Sequence, residues 1–169
     1  LELHYSVDLL SEHQLLPRLC EFPVVVIPDA YKLSDDFRRA LIEYVEAGGS
    51  LVLLGDRCAR LFEADLGVKP GSSSPVASRT KGKGRIVAVL GPVVSKLAHP
   101  RSADVQKLLS TVMREAFPQP AVETDAPSHV DLALRRTRDG RLSVHFLNLA
   151  KVQRGETEFP PMDPYPPVG

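Results

Sequence analysis

The sequence predicts an α/β protein: a mainly parallel, doubly wound sheet followed by a C-terminal antiparallel hairpin. Three observations predict it. Val24-Val25-Val26-Ile27 and Leu51-Val52-Leu53-Leu54 are continuous apolar runs, the pattern of strands covered on both faces. Between them Phe37, Leu41, Tyr44 and Val45 recur at helical spacing, so the unit reads strand–helix–strand. Two buried strands joined by one helix are expected to be parallel, with a right-handed crossover. Beyond residue 122 the pattern changes to alternation, in Val130, Leu132 and Leu134 and again in Leu142, Val144 and Phe146.

Taken in order, residues 5–10 alternate apolar and polar side chains and are expected to form a strand near the sheet edge. Leu15, Leu16, Leu19 and Phe22 then lead through a short helix into the buried strand 23–28, which Pro28 ends. Ser34 offers an N-cap oxygen, and Asp35 and Asp36 put negative charge in the first turn, where the helix dipole favours it. The helix 34–47 turns Arg38, Arg39, Glu43 and Glu46 to water, and Gly48-Gly49 stops it. After the second strand, 51–55, a helix is expected over 57–66, with Ala59, Phe62 and Leu66 on one face and Gly67 as its stop. Residues 69–83 are rich in Gly, Ser, Pro and Lys and read as a surface loop. Within it, Gly71-Ser72-Ser73-Ser74 lacks the preceding strand and following helix that a phosphate cradle needs. Gly84-Arg85 introduces the strand 85–90. Ser102 then caps a helix over 102–117, whose stripe is Val105, Leu108, Leu109, Val112 and Ala116.

The hairpin's register follows from its pattern. A two-residue Asp139-Gly140 loop would oppose Leu134 to His145 and put the apolar sets on opposite faces. A three-residue loop, Arg138-Asp139-Gly140, opposes Leu134 to Val144 and Leu132 to Phe146, with Gly140 in the left-handed position of a bulge. The second arrangement is the expected one. The tail, Phe159 to Gly169, holds too many prolines for a packed element.

Composition bounds function. The 169 residues suit one domain, or one domain and part of another: an α/β domain over 1–120, then the hairpin and tail over 121–169. The chain opens without Met and almost at once on the first expected strand, so the α/β domain is expected to lack its first strand and helix. Lys+Arg 21 balances Asp+Glu 21, and a net charge of +0 gives no field to draw in nucleic acid or an anionic membrane. No apolar run is long enough to cross a bilayer. Cys20 and Cys58 are too few for a disulfide framework and read as reduced thiols of a cytosolic protein. No Cys/His cluster has metal-ligand spacing, and no cofactor is expected.

The run VVVIPDAYKLSDDFRRALIEYVEAGGSLVLLG, followed by a helix and then GKGRIVAVLGP, resembles the glutamine amidotransferase-like domain appended to glycoside hydrolases. That group includes the trimerisation domain of beta-galactosidases. VDLALRRTRDGRLSVHFLNLA is similar to the start of the small β-sandwich that ends those enzymes. The resemblance spans most of residues 5–150 and implies a flavodoxin-like or amidotransferase-like sheet. Active amidotransferases place a cysteine on a tight turn directly after a strand, flanked by small residues. Here that turn is Leu54-Gly55-Asp56-Arg57-Cys58, and neither Gly91 nor Pro92 is the partner histidine; His99-Pro100 comes later. The resemblance therefore implies a non-catalytic accessory domain. Its unpaired sheet edge makes a homo-oligomer the expected state.

A different class of function remains open. Open parallel sheets bind ligands at the carboxyl ends of their strands. Asp29 and Asp56 end successive strands, and neighbouring strands lie about 5 Å apart, within the separation that retaining glycosidases use. On that reading Asp29 and Asp56 are catalytic, and His13, Tyr31 and Arg57 bind a carbohydrate ligand. The competing reading makes both aspartates caps of turns or helices, and His13 a solvated loop residue.

Overall fold

The computed structural model describes residues 3–67, 75–91, 103–127 and 130–148. It is mixed α/β, as expected. A four-stranded sheet runs in the order β1 (Val24–Pro28), β2 (Ser50–Leu54), β4 (Gly84–Val89), β3 (Val76–Lys81). β1, β2 and β4 are parallel, with Val26 beside Val52 and Val52 beside Val87; β3 is antiparallel to β4 at the edge. β5 (Val130–Arg136) and β6 (Leu142–Asn148) form a separate two-stranded sheet.

The continuous apolar runs exist because successive residues enter different layers. Val25, Ile27, Leu51, Leu53, Ile86 and Ala88 face α2 (Asp35–Ala47) and α3 (Asp56–Leu61), where Phe37, Leu41, Tyr44, Val45, Cys58 and Ala59 meet them. Val52, Val87 and Val89 face the other way, onto Val112 and Ala116 of α5 (Ala103–Ala116). Leu41, Val45, Leu51 and Leu53 are fully buried, each contributing about 1.5–3 kcal/mol of transfer energy. Ser34 caps α2 as expected, its oxygen accepting from the Phe37 N–H at 3.3 Å. The Ser102 cap, the Gly71–Ser74 stretch, His99-Pro100 and the proline-rich tail lie outside the described residues.

Glycines explain how α2 meets β4. Gly48, at φ 127°, ends the helix, and its N–H and that of Gly49 are donated back to the last turn of α2. Gly84 lies so close to this end that an added Cβ would overlap the carbonyl oxygens of Gly49 and Val45. The sequences around Gly49 and Gly84 are therefore two halves of one contact.

Three expectations are corrected. Residues 5–10 are not a strand. Val7 and Leu9 point to solvent, Tyr5 packs on Phe117 with ring centroids 6.2 Å apart, and Ser6 Oγ accepts from the Leu134 N–H at 3.5 Å. This segment touches the hairpin instead, and the turns that follow are α1 (Glu12–Leu15) and a 3-10 helix (Leu16–Glu21). The helix expected over 57–66 breaks at Phe62 (φ −119°, ψ 21°), whose ring is fully buried, leaving α3 and α4 (Glu63–Leu66). The loop expected over 69–83 contains β3. Gly82, at φ 60°, leads a two-residue turn into β4, and polar Ser78, Arg79 and Thr80 hide the strand from an apolar pattern.

The hairpin takes the register expected of it. Leu134 opposes Val144 and Leu132 opposes Phe146. The Thr137 N–H donates to the Arg141 carbonyl at 2.9 Å, closing the three-residue loop, and Gly140 sits at φ 83°.

Candidate functional site

The carboxyl ends of β1 and β2 carry the candidate residues. β1 stops at Pro28, and Asp29 follows with φ 30°, a left-handed conformation that aspartate tolerates better than most residues. Its N–H donates to the Leu54 carbonyl at 2.7 Å, extending the pairing by one bond. Its carboxylate lies 3.9 Å from the Arg57 guanidinium, a long and largely solvated ion pair. Asp29, Ala30, Tyr31, Lys32, Leu33, Ser34 and Glu12 line an open depression of about 470 Å³.

β2 ends at Leu54, and the turn into α3 is made by Gly55 at φ 102°, whose N–H donates to the Val89 carbonyl at 2.8 Å. This is the place where a strand-to-helix turn can present a side chain above the sheet. Here it presents none. Asp56 begins α3, and its Oδ1 accepts the Gly91 N–H at 2.8 Å, tying the turn to the end of β4.

Cys58 sits one turn deeper and is fully buried. Its thiol donates to the Leu54 carbonyl at 3.1 Å, with the Gly55 and Ile27 carbonyls also in reach at 3.3 and 3.7 Å. A thiolate could accept from none of these oxygens. Burial, and after it the Asp29 carboxylate, push the thiol up to about 11, so it is protonated at neutral pH.

The fold brings Asp29, Tyr31 and Arg57 to one end of β1, with Tyr31 mostly exposed. It directs the Asp56 carboxylate to Gly91, and carries His13 on exposed α1, outside the residues lining the depression. Sequence reasoning places Glu12 with His13 at a strand end but gives it no role; its carboxylate accepts from Ser34 Oγ at 2.8 Å and from the Ser34 N–H at 3.4 Å. An anion at the amino end of α2 is favourable. It comes from 22 residues upstream, so no local spacing signals it.

No family model and no curated protein matches the chain. Function is therefore read from its own residues. Among the described residues no group of three His, Cys, Asp or Glu side chains could hold a metal ion. A second open depression, about 630 Å³, is lined by Arg38 and Arg60 but also by Glu63 and Asp65, so it presents no single sign of charge.

Proposed function

We propose that this chain is a non-catalytic, amidotransferase-like accessory domain of a glycoside hydrolase, acting in assembly. The observation that carries this reading is the β2–α3 turn: the left-handed position holds Gly55, and the nearby thiol is buried and protonated. A nucleophile needs exposure and an accessible thiolate or alkoxide, and this turn supplies neither. Two further features support assembly. Among the described residues β1 pairs on one side only and leaves Val26 exposed, and β6 carries exposed Leu142, Val144 and Phe146.

Sedimentation velocity over an about hundredfold concentration range tests the reading. A weight-average coefficient that rises with concentration is expected; a single monomer species throughout would refute it.

A hydrolase acting on glycosides through Asp29 and Asp56 is the second reading. It is favoured by the left-handed Asp29 at the rim of an open depression with Tyr31 and Lys32. Against it, the Asp56 carboxylate already has a backbone partner in Gly91, the arrangement of a structural turn.

A further inference from the structure

The two faces of the hairpin differ in chemistry. Arg135 lies opposite Ser143 and Ala133 opposite His145, and strand alternation puts these four on the face away from Leu132, Leu134, Val144 and Phe146. Ser143 Oγ and His145 Nε2 are 3.0 Å apart, a hydrogen bond between side chains two residues apart on one strand. Thr137 and Arg141 are a bonded pair, so Arg135 and Ser143 are one too, with Cα atoms about 5.5 Å apart. Ala133 adds only a methyl group to this face, and Arg135 and His145 are both exposed.

Positive charge concentrates at this end of the hairpin. Residues 135–141 hold Arg135, Arg136, Arg138 and Arg141 against Asp139 alone. Asp139 is already engaged, accepting from Arg141 Nε at 2.6 Å and from Thr137 Oγ1. Arg136 donates to the Gly140 carbonyl at 3.2 Å. Asp131, the other carboxylate on the Arg135 face, accepts the Leu132 N–H at 2.9 Å. The Arg135 guanidinium has no hydrogen bond or ion pair among the described residues. One face thus joins an uncompensated guanidinium to a linked hydroxyl and imidazole.

We infer that Arg135, Ser143 and His145 form a binding site for the phosphate group of a small monoester. The guanidinium is a planar fork of donors that matches two phosphate oxygens. A protonated His145 donates its Nε2–H to Ser143 Oγ, which leaves the Ser143 hydroxyl hydrogen for a third oxygen. Two cationic groups also match the charge of a monoester, about −1.5 to −2 at pH 7. A carboxylate or a phosphodiester offers only two anionic oxygens and one negative charge, so each matches the three donors less well. The site goes beyond the assembly reading and does not depend on it.

Nuclear magnetic resonance of the histidine rings tests the site. The His145 resonances are assigned by their loss in His145→Gln, and His13, on exposed α1, serves as the internal reference. The full chain is titrated with methyl phosphate, inorganic phosphate, dimethyl phosphate and acetate at constant pH and ionic strength. Methyl phosphate and inorganic phosphate are expected to shift the His145 resonances saturably and to leave those of His13 in place. Arg135→Gln and Ser143→Ala are each expected to weaken this binding at least about tenfold, the scale of one charge-assisted hydrogen bond, with far-UV circular dichroism unchanged. Arg136→Gln, on the opposite face, is expected to leave it within about twofold. Equal shifts from acetate or dimethyl phosphate would overturn the proposal, as would His13 moving in step with His145 or undiminished binding in Arg135→Gln. Binding of inorganic phosphate with methyl phosphate rejected would overturn it too, by leaving an ion site that admits no ester.

Discussion

The thiol of Cys58 gives the sharpest quantitative prediction. An ordinary thiol at 9.0 is about one-tenth thiolate at pH 8; raised to about 11, as for Cys58, it is about one-thousandth. Charge state alone therefore slows attack on an aromatic disulfide about a hundredfold, and full burial slows it further. Cys20 is exposed and serves as the internal reference. Timed labelling at pH 8, with the modified peptide located by mass spectrometry, is expected to show one fast thiol, Cys20, and release of the second only on unfolding. Stability carries the same signature. The folded pKa is raised, so the contribution is fully present below about pH 9, the unfolded value, and is lost as pH rises through about 11. Across that window the chain should lose up to roughly 3 kcal/mol, and Cys58→Ala should flatten this part of the profile. Labelling of Cys58 at the Cys20 rate in the folded chain would refute the burial argument. So would identical pH profiles for the parent and Cys58→Ala.

Two further variants test the packing that positions the strand ends. Tyr44 donates its buried hydroxyl to the Phe22 or Ser50 carbonyl, at 3.0 and 3.3 Å, so Tyr44→Phe should cost about 1–2 kcal/mol in urea denaturation. No change would show that those carbonyls are satisfied without it. Gly84→Ala must push β4 away from the Gly49 and Val45 carbonyls and should cost at least about 2 kcal/mol; a stabilised variant would show that this contact is not close.

Much of the sheet was legible because burial on two faces leaves a one-dimensional trace. Val24–Ile27, Leu51–Leu54 and Ile86–Val89 each read as apolar runs, and each is a parallel strand. The hairpin's register was legible because only one loop length puts Leu132, Leu134, Val144 and Phe146 on one face. Edge elements gave weaker traces. β3 presents Ser78, Arg79 and Thr80 to solvent, while residues 5–10 alternate like a strand but dock by Tyr5 and Ser6. At the strand ends, sequence grouped Asp29, Asp56, His13, Tyr31 and Arg57; the loop after β1 and the start of α3 bring Asp29, Tyr31 and Arg57 together, while Asp56 turns to Gly91 and His13 lies outside the depression. Sequence could not show that Asp56 turns to Gly91 or that Glu12 reaches Ser34, since both bonds join residues 35 and 22 positions apart.

Whether the strand-end carboxylates do structural or chemical work is decided most directly by one assay. The purified chain, Asp29→Asn and Asp56→Asn are compared on a panel of aryl glycosides, with circular dichroism confirming that each is folded. The structural role proposed for these residues predicts no turnover above buffer in any of the three. Hydrolysis by the parent that falls at least a hundredfold in either variant, with folding intact, would contradict it and establish a glycosidase.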